Sequence, residues 1–235
     1  MMFDIGPFAM SWHGFWSFIG ILVAVFLVAR WAKRDGISTD IAYDVALWGI
    51  LGGIIGARLM HVFDNTDYYF ENPGKIFAVW QGGIGFLGAM IGGILAGGIF
   101  AKIKNYPVGK IADYAAPAMA IAHIIGRIGD IWNGEHLSTP TDLPWGWVFS
   151  HPNSPGRIGA ERLFNDPNIA VHPAVVYEMI WNAFTILFLF KSRGKFKMDG
   201  SLWIIYMFMY SIGRFIIQFT RMDDVKFSIG NLGIQ

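Results

Sequence analysis

Apolar positions in this chain fall in long runs rather than in narrow stripes. Six stretches are nearly continuous over the roughly 20 residues that a helix needs to cross a bilayer: 12–29, 43–63, 82–101, 111–128, 173–190 and 202–219. The segments between them are short, with one exception. From 130 to 172 the chain is polar and carries Pro140, Pro144, Pro152, Pro155 and Pro167, a density of turn formers that precludes a long helix. The pattern predicts an all-α fold, a polytopic helical membrane protein of about six spans with a small extracytoplasmic head. Residues 1–129 would form the first four spans, 130–172 the head and 173–235 the last two.

Glycine is abundant within these runs, at Gly49, Gly52, Gly53 and Gly56 and again at Gly88, Gly92, Gly93, Gly97 and Gly98. In lipid, small residues at such spacing let two helix backbones approach closely. The segment from Trp80 to Gly88 is too rich in glycine to begin a helix cleanly, so a broken or re-entrant stretch is expected there. Non-helical backbone survives at that depth only where protein or a cavity satisfies it.

Composition agrees with this reading. Apolar residues make up 54% and charged residues 15% of the chain, against about a quarter charged in soluble domains. The net charge of +1 gives no reason to expect a nucleic-acid partner. Ten of the 18 Lys and Arg lie in or beside three loops: Arg30, Lys33 and Arg34; Lys102, Lys104 and Lys110; Lys191, Arg193, Lys195 and Lys197. The positive-inside rule puts those loops in the cytoplasm and the N-terminus outside. The first run lacks a basic segment before it and a small-residue cleavage site after it, so it is expected to stay in the membrane. With no cysteine, the chain has no disulfide, no zinc-thiolate site and no thiol nucleophile of its own. Nothing in the sequence calls for a metal or another cofactor.

Charged residues inside spans cost on the order of 3 kcal/mol each on insertion scales, so they tend to be paired and functional. Arg58, Arg127 and Arg214 all lie toward the outer ends of their spans. Tyr210, Arg214, Gln218 and Arg221 recur at helical spacing and share one face. Guanidinium groups bind phosphate through a planar fork of donors and keep their charge when buried. A phospholipid headgroup is the anion available at that depth, and Asp130, Glu135 and Glu178 are carboxylates that would compete for, or orient, the same arginines. Trp12, Trp31, Trp80 and Trp203 read as interfacial anchors. His61, His123, His136 and His151 read as packing or surface residues.

The stretch Gly126-Arg127-Ile128-Gly129-Asp130-Ile131-Trp132-Asn133-Gly134-Glu135 resembles the signature Gly-Arg-x-Gly-Asn-Phe-x-Asn-x-Glu of the prolipoprotein diacylglyceryl transferases. Other landmarks follow in order: Ile5-Gly6-Pro7 with Gly14, Gly56 with Arg58, Trp80 to Gly83, Ala112-Asp113, and Asp142 to Gly146. Beyond the head come His172-Pro173, Tyr177-Glu178, Tyr210, Arg214-Phe215 and Arg221 with Asp223. The resemblance implies a multi-pass enzyme of the bacterial inner membrane. Such an enzyme moves the diacylglyceryl group of phosphatidylglycerol to the lipobox cysteine thiol of a prolipoprotein signal peptide, forming a thioether and releasing glycerol phosphate. Its partners would be phosphatidylglycerol, other membrane lipid and the precursor. On this reading Arg127 and Arg214 neutralise the departing phosphate, Asn133 and Glu135 orient Arg127 and the headgroup, and Arg58, Tyr210 and Gln218 complete the substrate site.

Several family positions differ here. The histidine of the family's Gly-Gly-x-x-x-His-Gly segment is Leu87, the signature asparagine is Asp130, a glutamate of the last stripe is Gln218, a glycine after the signature is Ser138 and an early tyrosine is His13. A thiol needs a base or a strong field to become a thiolate, so with Leu87 in place His13 or Asp130 becomes the candidate base. A lipid-binding relative without transferase activity and a membrane transporter are the alternative readings. The family also has a seventh span, which would begin near Asn231 to Gln235.

Overall fold

A computed structural model describes residues 2–5, 8–79, 82–83, 85–222, 227–229 and 232–234. Gly6, Pro7, Trp80, Gln81, Asp223, Asn231 and Gln235, all singled out above, lie outside the described residues. A short hairpin, β1 (Met2–Ile5) and β2 (Phe8–Ser11), leads into α1 (Trp12–Arg34). There follow α2 (Thr39–Asp64), α3 (Thr66–Glu71), a 3-10 turn (Pro73–Phe77), α4 (Phe86–Ile103) and α5 (Val108–Asn133). After these come α6 (Pro155–Phe164), α7 (Ala174–Ser192) and α8 (Ser201–Gln218), then a second hairpin, β3 (Phe227–Ile229) and β4 (Leu232–Ile234).

The molecule is thus a polytopic helical membrane protein. Among the described residues, α1, α2, α4, α7 and α8 are long and apolar enough to cross a membrane. The remaining predicted span, α5, has the length at 26 residues but not the apolarity. It carries His123, Arg127 and Asp130 in its last turns, and hosting those groups lowers its hydropathy.

The described residues form two compact units, one of residues 25–115 and 198–201 and the other of the remainder. In the first, α2 lies along α4 at glycine-to-glycine crossings. A Cβ on Gly56 would sit 2.2 Å from the Gly88 carbonyl oxygen, so this approach is open only to residues without a side chain. The expected break before α4 is present: Gly82 and Gly83 take φ of 82° and 76°, and the helix starts at Phe86. Arg58 holds this break. Its Nε donates to Ile76 O at 2.8 Å, its Nη1 to Gly82 O at 2.7 Å and Gly83 O at 2.9 Å, and its Nη2 to Lys75 O at 2.5 Å. One buried guanidinium therefore donates to four main-chain carbonyls, two in the 3-10 turn and two in the glycine break, and it also lies 5.3 Å from the Tyr69 ring centroid.

The second unit carries the functional side chains. Its apolar centre joins Ala116 and Ala120 of α5, Leu189 of α7, and Leu202 and Tyr206 of α8. Gly129 lets α5 lie directly on the first turn of α1, since a Cβ there would fall 2.8 Å from the His13 Cα. The head is stitched to the end of α8 by main-chain bonds from Thr139 N to Thr220 O at 2.9 Å and from Met222 N to Leu137 O at 3.1 Å. Its helix, α6, begins at Ser154, whose Oγ accepts from Arg157 N at 3.4 Å as an N-cap.

Candidate active site

Helix α5 does not stop at residue 128 but runs to Asn133, and this extra length presents Arg127 and Asp130 on one face. Arg127 Nη1 donates to Asp130 Oδ2 at 2.6 Å, and its Nη2 pairs with Glu178 Oε2 from α7. Glu178 is the hub of the cluster. Arg214 Nη1 of α8 donates to its Oε1 at 3.1 Å, and Arg221 Nη1 donates to the same oxygen at 2.8 Å. Of the three arginines expected to share a level, Arg127 and Arg214 meet on this buried carboxylate, joined by Arg221, whereas Arg58 does not take part.

Exposure separates their roles. The Arg221 side chain is only 3% exposed, while Arg127 is 21% and Arg214 29% exposed. Arg221 therefore belongs to the scaffold of the cluster, whereas Arg127 and Arg214 keep an accessible edge. A cleft beside Arg214 is lined by Glu178, Trp181, Asn182, Tyr210 and Gly213. Gly213 makes room for it: a Cβ there would strike the Trp181 indole at 2.2 Å, and that indole is fixed by its Nε1 donating to Met209 O at 2.8 Å.

On the other side of Arg127, Asp130 Oδ1 pairs with His13 Nδ1. Asp130 is 1% exposed and accepts from Arg127, so a His13 ring carrying a single proton donates it from Nδ1 and leaves the lone pair on Nε2. The His13 side chain is 47% exposed. An asparagine at position 130 would set an amide NH2, which cannot accept, against one of these two partners.

Asn133 Nδ2 donates to Glu135 Oε1 at 2.7 Å, so these two orient each other rather than Arg127. His13, Asp130 and Glu135 each place a ligand atom within 4.8 Å of the others, a spacing that could close on a metal ion. Arg127 already holds Asp130 with a positive charge beside that position. A second cleft is lined by Asp130, Glu135, His136, Trp147, Phe149 and His172.

The remaining predicted site residues divide. Tyr210 lines the cleft beside Arg214 and packs against His123 with centroids 5.2 Å apart and the rings tilted by 43°. Gln218 makes no side-chain hydrogen bond among the described residues; its main-chain oxygen accepts from Arg221 N at 3.1 Å. Arg58 is built into the other unit as described. Sequence reasoning set His136 aside as packing or surface, yet its ring contacts Arg127, Asp130 and Arg221. Glu178 was visible as a nearby carboxylate and a family landmark, and its central place required the fold.

The family model described as prolipoprotein diacylglyceryl transferase matches residues 1–234. A phosphatidylglycerol–prolipoprotein diacylglyceryl transferase of Trichormus variabilis is 35% identical over 231 residues, covering 96% of this chain and 79% of that protein. The protein of the same name from Lysinibacillus sphaericus is 35% identical over 230 residues, covering 98% and 83%. That from Staphylococcus aureus is 34% identical over 223 residues, covering 95% and 78%. A match along nearly the full length, with the family's arginines gathered on a shared carboxylate, places the chain in the prolipoprotein diacylglyceryl transferase family.

Proposed function

We propose that this protein transfers the diacylglyceryl group of phosphatidylglycerol to the lipobox cysteine thiol of a prolipoprotein signal peptide. The reaction takes place at the outer face of the bacterial inner membrane. The observation that carries the reading is the convergence of Arg127 and Arg214 on Glu178 with part of each side chain still accessible. The basic loops around Lys33, Lys104 and Lys195 face the cytoplasm, which puts the N-terminus, the head and the outer ends of α5 and α8 on the opposite side.

In the reaction the thiol sulfur attacks the glyceryl carbon that bears the phosphate. The C–S bond forms as the C–O bond to phosphorus breaks, and glycerol phosphate leaves with the bonding pair on its oxygen. Arg127 and Arg214 stabilise the charge gathering on that phosphate, an effect that is strong where water is scarce. His13 Nε2 takes the thiol proton, with Asp130 holding the ring in the required tautomer and stabilising the imidazolium that forms, and the proton passes on to the departing phosphate. The family histidine is absent at Leu87, and the His13–Asp130 pair supplies a base in its place. Tyr210 and Trp181 shape the wall against which the lipid lies. Asn133 and Glu135 set the charge on the side where the thiol enters.

The test is transfer from radiolabelled phosphatidylglycerol to a lipobox peptide by purified protein in lipid. Unaltered protein is expected to label the peptide, and His13→Ala and Asp130→Asn are each expected to slow labelling about a hundredfold near neutral pH, the lower range for a positioned base. Lipid binding without any labelling would support the binding-protein reading instead. Full activity in the doubly altered protein would remove both residues as the base.

A further inference from the structure

His136 has the least ordinary backbone in the cluster. Its φ is +64°, in the left-handed region that a residue with a side chain occupies at a steric cost, and such conformations persist where surrounding contacts impose them. The family signature ends at Glu135, so the pattern gives position 136 no role. The contacts do. Arg221 Nη2 lies 2.7 Å from Nδ1, while Nε2 lies 3.4 Å from Asp130 Oδ2 and 3.3 Å from Arg127 Nη1.

A guanidinium can only donate. Nδ1 must therefore accept from Arg221, which requires a neutral ring with its proton on Nε2. Asp130 Oδ2, 3.4 Å away, is an acceptor for that proton, whereas Arg127 has no lone pair to offer. A proton on Nδ1 would face the Arg221 donor at 2.7 Å and break the contact. The ring thus touches Arg127 and Asp130 from α5 and Arg221 beyond α8.

We infer that His136 is a positioning residue, a neutral Nε2–H ring that ties the His13–Asp130 base to the Arg221–Glu178 scaffold of the phosphate site. The role rests on the transferase reading. It links the thiol end of the site to the phosphate end through one side chain: Glu178 holds Arg221, Arg221 holds His136, and His136 steadies the carboxylate that orients His13. Arg127 spans the same two carboxylates directly, but as a group that must also meet the phosphate. His136 supplies a second tie that stays in place while Arg127 works.

Two measurements test this. Nitrogen-15 spectra of histidine-labelled protein, with the ring assigned through His136→Asn, are expected to show Nε2 protonated and Nδ1 bare, and to lose that signature in Arg221→Ala. A charged ring or the opposite tautomer at neutral pH would overturn the assignment without any assay of transfer. In the transfer assay, His136→Leu is expected to lower kcat by about tenfold and to change KM for phosphatidylglycerol by less than about threefold, a modest fraction of what a base contributes. His136→Asn tolerates the left-handed backbone and places its amide oxygen near the Nδ1 position, keeping the Arg221 end of the tie but not the Asp130 end, so its loss of kcat should be smaller than that of His136→Leu. In a His13→Ala background, His136→Leu should cost nothing more, because residues acting through one another are not additive. Additive losses, or equal losses for Leu and Asn, would overturn the role. If the Leu variant fails to fold, the spectrum and the Asn variant decide. No labelling by unaltered protein would sink the transferase reading and this role with it, whereas labelling with additive losses would sink this role alone.

Discussion

Replacing Arg127 with alanine is expected to reduce diacylglyceryl transfer by about a thousandfold, the upper range for removing one preorganised donor from a developing anion. The size follows from position. Arg127 bridges Asp130 and Glu178 and keeps an accessible edge, so its loss removes a phosphate ligand and also loosens both carboxylates. Arg127→Lys should not restore activity, because a single ammonium cannot span two carboxylates and still offer a planar fork to phosphate. Initial rates of peptide labelling at saturating phosphatidylglycerol give the number, with gel filtration in detergent confirming that the variant is folded. Activity within tenfold of the parent would show that the phosphate is held elsewhere.

The second large effect is on stability. Glu178→Ala would leave Arg127, Arg214 and Arg221 facing one another without the carboxylate they share. Removing one partner of a buried ion pair typically costs about 3–5 kcal/mol, because the charge left behind stays buried. Arg221 suffers most, being almost wholly buried in the second unit. The expected result is a markedly lower thermal transition in detergent and poor recovery of folded protein, with Glu178→Gln intermediate because its amide oxygen can still accept. A Glu178→Ala variant as stable as the parent would mean that other groups carry the arginines' charge.

The helical skeleton could be read from the sequence because an apolar run of span length has few other uses. Where element ends moved, local chemistry explains it. Helix α4 starts at Phe86 rather than Gly82 because Gly82 and Gly83 adopt left-handed backbone held by Arg58. Helix α5 continues past residue 128 because Asp130 and Asn133 find partners on its inner face. The arginines were legible as intramembrane charges, and the helical spacing of Arg214 and Arg221 placed both toward one partner. Which partner was not legible. Glu178 is 51 residues from Arg127 and 43 from Arg221, and only the packing of α5, α7 and α8 brings them together. His13 and Asp130 were identifiable as departures from the family pattern, but their pairing depends on Gly129 admitting the first turn of α1. His136 escaped notice because its contacts depend on a left-handed turn that no periodicity announces.

Arg58 shows the opposite difficulty. As an intramembrane arginine at a family position it is indistinguishable in sequence from Arg127, yet its donors go to four main-chain carbonyls of a broken segment. Burial of charge therefore marks a position as costly without saying what offsets the cost. Geometry separates a guanidinium occupied by backbone from one that keeps an edge toward a cleft.

The arrangement around Glu178 implies that lipid phosphate competes with a protein carboxylate for the same donors. A structure of the protein in a phosphatidylglycerol nanodisc would show this directly. The phosphate oxygens should lie at about 2.7–2.9 Å from guanidinium nitrogens of both Arg127 and Arg214, the range of charge-assisted hydrogen bonds. A headgroup bound away from both arginines, with Glu178 still holding them, would contradict it.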